Sequence, residues 1–558
     1  MKEMRQGAIK GNRIFFLDNL RTFMIFLVVV IHAGIVYDGS GGGEYFWIVF
    51  DLSTNSISGI INLIIEMMVM PVIFFVSGFF APLSLQNRGG WAFLKSRFQR
   101  LIIPWIIAVF TLIPLYKMIF LYSRNLPQEN WTTYFHFSNG IFSQSWLWFL
   151  PVLFLFDLLY ALLSKIKTNL SKMPLKQAVG PVFLLGFLYV FGMDIFGGRG
   201  WTKTIAMDFQ NERLLVYFMI FLVGSLCFKQ KTFESAGKNK KLYIIISLTA
   251  WIPVYVYISL YFHSMKHIGR YLVSGIVDAA LLQFALLLSM LCLLYLIINI
   301  FRYFLNKPSK IGKELNKNSY GVYIIHTIVL GGIALSMLDT TIPSLLKHLI
   351  LMVSTYILCN LIVSFYRNVL KPKISKPRME EKTMKKATTA LLVVSLLAAA
   401  GCAKQENPAP RISLHAAALQ GNVGVIRQHI KAGSDLDKKD MYGSTPLIIA
   451  VTFGRNEAAG ALIEGGADMK ITNNEGSTPL HIAAFLCRTE IVQALLDNGA
   501  DKNLENSTGS TALDVVAGPF DDVKDIYDGI GKALAPLGLG LDYERIKLTR
   551  PRITEMLR

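Results

Sequence analysis

The first 370 residues alternate between long apolar runs and short polar stretches. Ten runs approach the roughly 20 residues that a helix needs to cross a bilayer. They fall near 16–36, 59–85, 101–122, 146–163, 178–196, 214–228, 242–262, 271–301, 320–338 and 343–366. This pattern predicts a polytopic helical membrane domain over residues 1–370.

After this domain the polar pattern changes twice. A basic stretch, 371–386, is predicted to be a cytoplasmic linker. The apolar run 387–402 is short for a span, so it is either a secretory signal or an eleventh transmembrane segment. Its end, "LAAAGC", resembles a bacterial lipoprotein signal, which makes Cys402 a lipidation candidate. Met384 before it also suggests two reading frames joined end to end.

A repeat follows the linker at 403–410. "GSTPLIIA" at 443–450 returns as "GSTPLHIA" at 476–483 and as "GSTALDVV" at 509–516. The period resembles that of ankyrin repeats over residues 411–517, with a C-terminal cap at 518–558. We therefore predict an all-α chain, in which about ten transmembrane helices precede an α-solenoid that binds an unknown protein partner.

Composition agrees with a bilayer partner. The chain has 558 residues, 53% of them hydrophobic, and a mean hydropathy of +0.45. Its net charge of +19 is spread between the apolar runs, which argues against a nucleic-acid partner.

Loop charges predict the topology. Lys and Arg concentrate in the N-terminal tail and in alternate loops, so we place these segments in the cytoplasm of a bacterial cell with the spans in the inner membrane. The run 387–402 would then carry the ankyrin module into the periplasm.

Several ionisable residues interrupt the apolar runs, where they are costly and usually functional. Asp18 and Arg21 lie at the predicted cytoplasmic mouth of the first span, and His32 lies roughly 16 Å deeper. Glu66 is expected at a comparable outer depth, and His326 in the inner third of the ninth span. An imidazole titrates near neutral pH, which suits a base for a hydroxyl group.

The second and third spans contribute a basic and a small-residue motif. Arg97 and Arg100 share a helical face, and two guanidinium groups suit a phosphate or pyrophosphate. Ser77 in "FFVSGFF" permits close helix approach. Each residue also has a structural interpretation: topology signals for the arginines, an ion pair for Asp18 and Arg21, and helix-to-helix contacts for Glu66 and His326.

Five motifs occur in an order that resembles the membrane-bound acyltransferase-3 family over residues 13–370. They are "FFLDNLRTFMIFLVVVIH", "FFVSGFF", "FLKSRFQRLIIPW", "LWFLPVLFLF" and "SYGVYIIH". The first is most similar to the glucan biosynthesis protein C branch. In many members a His precedes "LWFL", and here Trp146 takes its place.

The resemblance implies an enzyme that transfers an acetyl or succinyl group, not an amino-acyl group. The donor would be cytoplasmic acyl-CoA, and the acceptor a hydroxyl of a periplasmic or cell-surface carbohydrate, with no metal. We assign catalysis to His32, Arg21, Asp18 and Glu66, and cofactor binding to Arg97, Arg100, Ser77 and His326. His32 could act as a base or become acylated itself.

Two other functions fit the same pattern. Ten spans with buried charges also suit a transporter or flippase for a glycan or lipid-linked substrate. Alternatively, the membrane part could anchor an ankyrin scaffold. Dependence on coenzyme A would separate the enzyme from both.

Overall fold

A computed structural model of the chain describes residues 14–38, 47–124, 128, 145–165, 174–204, 207–235, 240–266, 271–307, 309–338, 340–370, 413–440, 443–534, 537 and 539–558. The chain forms two compact units, a bundle of long apolar helices and a unit of repeat helices. Cys402 and the predicted segments 371–386, 387–402 and 403–410 lie outside the described residues.

Ten helical segments in these ranges are long and apolar enough to cross a membrane, which confirms the predicted all-α fold. Their helices are α1 (Phe15–Ile35), α2 (Ser56–Arg88), α3 (Gly90–Ser123), a 3-10 turn Ser145–Trp148 with α4 (Phe149–Leu163), α5 (Leu175–Ile195), α6 (Asn211–Lys229), the pair α8 (Lys240–Thr249) and α9 (Trp251–Lys266), α10 (Gly275–Phe304), α11 (Lys310–Met337), and α12 (Ser344–Phe365) with the π turn Tyr366–Leu370. The short helix α7 (Thr232–Ser235) follows α6. A two-stranded antiparallel hairpin, β1 (Trp201–Lys203) and β2 (Asp208–Gln210), lies between α5 and α6.

The seventh span is broken between α8 and α9 at Ala250. Pro253 explains the break, because proline lacks the N–H that would bond to the carbonyl of Thr249 and its ring clashes with that carbonyl.

Glycines allow helices α2 and α6 to approach each other closely. A Cβ atom on Gly78 would overlap the carbonyl oxygen of Phe221, and one on Gly224 would overlap that of Phe75. The two backbones therefore touch directly, as at small-residue crossings in other membrane helices. This is the close approach expected from "FFVSGFF".

We call the end of the bundle where α1 begins the proximal end, and the end where α1 finishes the distal end. At the proximal end, the Asn19 amide donates to the carbonyl of Leu305 at 2.8 Å, and Thr22 donates to the Asn316 side chain. At the distal end, the backbone N–H of Asp51 donates to Val36 O at 2.9 Å and that of Asn55 to Tyr37 O at 2.9 Å. Both ends of α1 are thus fixed by hydrogen bonds.

Two clusters of buried apolar side chains fill the bundle. Along α1, the first cluster ends at Val30 and the second begins at Ala33. Along α11, the first ends at Tyr323 and the second begins at Leu330. The boundary between the clusters therefore falls at His32 on one helix and His326 on the other.

The second unit stacks helix pairs with the predicted period. They are α13 (Leu414–Gln420) with α14 (Val423–Lys431), α15 (Pro446–Thr452) with α16 (Asn456–Glu464), and α17 (Pro479–Phe485) with α18 (Thr489–Asp497), followed by α19 (Asp514–Ala517), α20 (Phe520–Leu534) and α21 (Tyr543–Leu557). Thr445 and Thr478 cap their helices with proline at the next position, which explains the "TPL" motif.

In this unit, each repeat donates a hydrogen bond to a carbonyl of the repeat before it, and the last two helices do the same for the third repeat. Arg455 donates to Leu419 O at 2.8 Å, and Arg488 to Thr452 O at 3.0 Å. The equivalent carbonyl of the third repeat, Phe485 O, accepts instead from the hydroxyl of Tyr527 on α20. Helices α20 and α21 thus cap the stack.

Replacing Gly78 by alanine tests the glycine crossing. Gly78→Ala should force α2 and α6 apart, and we expect it to lower the free energy of unfolding by about 1–3 kcal/mol. Gly192→Ala on α5 is the matched control, because a Cβ there meets no atom within 4 Å. Unfolding in detergent with increasing SDS measures both, and equal stabilities would contradict direct backbone contact.

Candidate functional site

Helix α1 places three predicted site residues. Arg21 and His32 are eleven residues apart, which is within about 20° of three full turns, so they lie on one face of the helix. Asp18 pairs with Arg21 one turn away, with 3.7 Å between Oδ1 and Nη2, and the Arg21 side chain is 42% exposed. The helix thus presents a guanidinium group near the proximal end and an imidazole toward the distal end.

His32 contacts His326 of α11. Nδ1 of His32 lies 2.6 Å from Nε2 of His326, and the rings meet edge to edge, with centroids 4.9 Å apart and planes 8° from parallel. His326 is fully buried, whereas His32 is partly exposed. The structure therefore brings together two residues that lie almost 300 positions apart in the sequence.

Hydrogen bonds fix the protons of this pair. Nδ1 of His326 lies 2.6 Å from the carbonyl oxygen of Tyr323, which can only accept, so Nδ1 carries a proton. In a neutral ring the other nitrogen is then an acceptor. Nε2 of His326 thus accepts from Nδ1 of His32, which leaves the lone pair of neutral His32 on its own Nε2.

Aromatic residues surround the pair. Trp47 lies against His32 with centroids 4.7 Å apart, and its indole N–H donates to His32 O at 3.0 Å. Trp146 donates to Ile324 O at 2.9 Å, and its own carbonyl accepts from the Tyr323 hydroxyl. Tyr116 contacts both indoles. Trp146, where the resemblance led us to expect histidine, is therefore part of the wall of the site.

The expected depth of His326 needs correction. The apolar run suggested the inner third of the ninth span, beside the cofactor residues, yet His326 lies at the level of His32. Helix α11 begins at Lys310, well before the apolar run, so His326 is about 24 Å from the start of the helix. Hydropathy marked the apolar part of the helix and missed its polar first turns.

Glu66 forms its contact elsewhere. Its Oε1 accepts from Nη1 of Arg213 on α6 at 2.8 Å, while its side chain is 43% exposed. The structure thus places Glu66 in an ion pair between α2 and α6 and not against the histidines. Sequence analysis did not identify Arg213, because it lies at the edge of a short apolar run.

The two arginines after α2 differ in their surroundings. Nε of Arg97 lies 3.3 Å from Oδ2 of Asp157 on α4, whose side chain is only 1% exposed. Arg100 is exposed, and its backbone carbonyl accepts from the Tyr320 hydroxyl at 2.6 Å. Ser77 is partly buried beside the glycine crossing. Only Arg100 of the two arginines faces outward, and Asp157 within an apolar run was an overlooked signal for the partner of Arg97.

A second polar cluster lies at the distal end and was also missed. Nζ of Lys347 lies 2.7 Å from Oδ2 of Asp51, and both side chains are almost fully buried. Nε2–H of His348 donates to Val30 O at 3.2 Å, so Nδ1 of the neutral ring accepts from the Ser58 hydroxyl at 2.9 Å. These contacts hold the segment that carries Trp47 against α12. Lys347 and His348 lie in one helical turn at the start of an apolar run, which is the signal that could have revealed them.

Comparison with known proteins agrees with this arrangement. The family model described as an acyltransferase domain matches residues 14–364, and a model of ankyrin repeats in three copies matches residues 392–515. The chain belongs to the acyltransferase-3 family. No curated protein matches the chain. It is therefore a multi-pass membrane acyltransferase that carries ankyrin repeats.

The ion pair of Arg97 and Asp157 can be tested by a double-mutant cycle. Arg97→Ala leaves a buried carboxylate without its cation and should lower the free energy of unfolding by about 3–5 kcal/mol. Adding Asp157→Asn removes that charge, so the double variant should recover much of the loss. Arg100→Ala, one turn away on the exposed side, should unfold like the wild type.

Unfolding of purified protein by SDS would report all four variants. Strictly additive effects of the two single substitutions would show that Arg97 and Asp157 are not coupled, and would return Arg97 to the role of a ligand for the donor.

Proposed function

We propose that the protein moves an acetyl or succinyl group from acyl-CoA to a hydroxyl of a carbohydrate outside the cytoplasm. The observation that carries this proposal is the hydrogen-bonded pair of His32 and His326. The pair leaves a lone pair on Nε2 of a partly exposed imidazole, which is what a hydroxyl acceptor needs. An anchor has no need of such a relay, and dependence on coenzyme A separates the enzyme from a proton-coupled transporter, which could also use one.

The reaction follows from these protonation states. Nε2 of His32 takes the proton of the acceptor hydroxyl, while the hydroxyl oxygen forms a bond to the thioester carbonyl carbon. The C–S bond then breaks, and the leaving thiolate recovers the proton from the imidazolium. Nδ1–H of His32 remains bonded to His326, which stabilises the positive charge that the ring gains. Trp47 and Trp146 limit the access of water, which would otherwise hydrolyse the thioester.

Donor binding is assigned to the cations of the proximal end. Coenzyme A carries phosphates, and arginine binds phosphate in a bidentate manner. Arg100 and Arg21 are the exposed candidates, and Arg97 contributes to the extent that Asp157 leaves its outer nitrogens accessible. Ser77 lies in the second half of α2, toward the same proximal end.

The remaining assignments concern location. We place the bundle in a bacterial inner membrane with its proximal end in the cytoplasm, because the basic segments cluster there in sequence. The ankyrin module would then be extracytoplasmic, where its concave face binds a protein partner. Cys402 would be the lipidated residue if the segment before it is cleaved.

Substitution of the histidines tests the relay. We expect His32→Ala to abolish acyl transfer. His326→Ala should lower kcat by about 10²–10⁴-fold with little change in the KM of acyl-CoA, because Nδ1–H of His32 loses its hydrogen-bond acceptor. His348→Ala is the matched control for folding, because His348 is a buried histidine that supports the segment of Trp47 without touching the His32–His326 pair. Release of coenzyme A by protein in lipid nanodiscs measures all three.

Wild-type kcat in His32→Ala would refute the assignment of the base. An equal loss in His348→Ala and His326→Ala would show that the histidines act through folding alone.

The side of the ankyrin module can be found by thiol labelling. Cys487 is a poor probe, because it is fully buried and burial raises its pKa to about 11. An exposed thiol from Lys470→Cys in a Cys487→Ser background should react with a membrane-impermeant maleimide once only the outer membrane is permeable.

Labelling that requires lysis of the inner membrane would contradict the outward placement. The Cys487→Ser chain without Lys470→Cys gives the background. A labelled fragment of the size of residues 402–558 would favour a processed lipoprotein, and a full-length band an eleventh span.

A further inference from the structure

The β1–β2 hairpin at the distal end is held rigidly against helix α6. Gly200 N–H donates to the Glu212 carboxylate at 3.0 Å, and the Thr202 hydroxyl donates to the Asn211 side chain at 2.6 Å. The backbone N–H of Asn211 also donates to Gly200 O at 2.9 Å. The hairpin therefore presents its side chains from a fixed position, not from a loose loop.

The hairpin exposes a tryptophan beside another. Trp201 is 48% exposed, and its ring meets that of Trp148 edge to face, with centroids 5.5 Å apart and planes at 81°. Trp148 comes two residues after Trp146, which is part of the wall around the histidines. The perpendicular rings form a corner that is apolar and open on one side.

Neighbouring rings connect this corner to the histidine pair. Trp148 contacts Phe149 at 6.4 Å between centroids, Phe149 contacts Tyr323 at 5.8 Å, and Tyr323 lies 6.0 Å from His326. Four ring contacts therefore lead from the exposed indole of Trp201 to the buried imidazole.

A half-exposed carboxylate lies in the same region. Glu66 is fixed by Arg213, which follows the hairpin by three residues, yet 43% of its side chain remains exposed. Glu212, which accepts from the Gly200 N–H of the hairpin, is the neighbour of Arg213 in the chain. The ion pair and the hairpin thus share one neighbourhood.

We propose that Trp148, Trp201 and the Glu66–Arg213 pair form a subsite for a sugar ring of the acceptor. A pyranose has an apolar C–H face and a rim of hydroxyl groups. The indole corner suits the face, and an oriented carboxylate and guanidinium suit the hydroxyls. This inference rests on the proposed function, since it names the part of the acceptor that lies beyond the reacting hydroxyl.

Direct binding tests the subsite without acyl transfer. Maltohexaose, cellohexaose and laminarihexaose, three glucose oligomers with different linkages, would be titrated into full-length protein in nanodiscs and followed by calorimetry. We expect at least one to bind, and Trp201→Ala to weaken that binding by about tenfold. Trp201→Phe should restore part of the affinity, because it keeps an aromatic face.

Trp251→Ala is the matched control, an indole that is 58% exposed on a membrane helix away from the hairpin. It should bind like the wild type. Glu66→Gln should weaken the same oligosaccharide, because the charged acceptor of the hydroxyls is lost. The dissociation constant of acyl-CoA should stay unchanged in every variant.

Three results would overturn the subsite. They are no binding of any hexasaccharide to the wild type, equal affinity in Trp201→Ala, or an equal loss in Trp251→Ala, which would mark Trp201 as an interfacial anchor. A wild type that binds sugar but consumes no acyl-CoA would leave the subsite standing and refute the proposed function instead.

Discussion

The 2.6 Å contact between His32 and His326 requires α1 and α11 to keep one register. A shift of α1 by a single residue would move His32 by about 1.5 Å along the axis and turn it by about 100°. The hydrogen bonds at the two ends of α1 prevent such a shift. Asn19 and Thr22 fix its beginning to the region around α11, and the Trp47 indole holds the backbone of His32 itself.

The charges of the bundle act as pairs between helices that are distant in sequence. Lys347 meets Asp51 of the segment before α2, Arg213 meets Glu66, and Arg97 meets Asp157. A single charge is costly within a membrane, and it becomes tolerable only when its partner lies beside it. Each pair therefore favours one arrangement of neighbours over others in which both charges would be left alone.

Hydropathy and repeat spacing predicted the ten spans and the ankyrin unit, because both depend on local periodicity. The site was predicted less completely. His32 was recognised by its position in an apolar run, but its contact with His326 depends on where α11 begins, which hydropathy does not show. Trp47 and Arg213 escaped notice, because aromatic and edge residues are common in membrane helices, and Trp146 was noticed only as a departure from the family pattern. Their roles arise only when distant segments meet.

Cys487 has a left-handed backbone, with φ of 53°, at the place where the two preceding repeats have Gly421 and Gly454. A side chain there is strained, yet its sulfur packs beneath the last helix, 3.6 Å from Ile546 O, and its carbonyl accepts from Arg545. At this position the third repeat contacts the last helix. A further repeat inserted after the third would displace Arg545 and Ile546 from these contacts, whereas one inserted between earlier repeats would leave them intact.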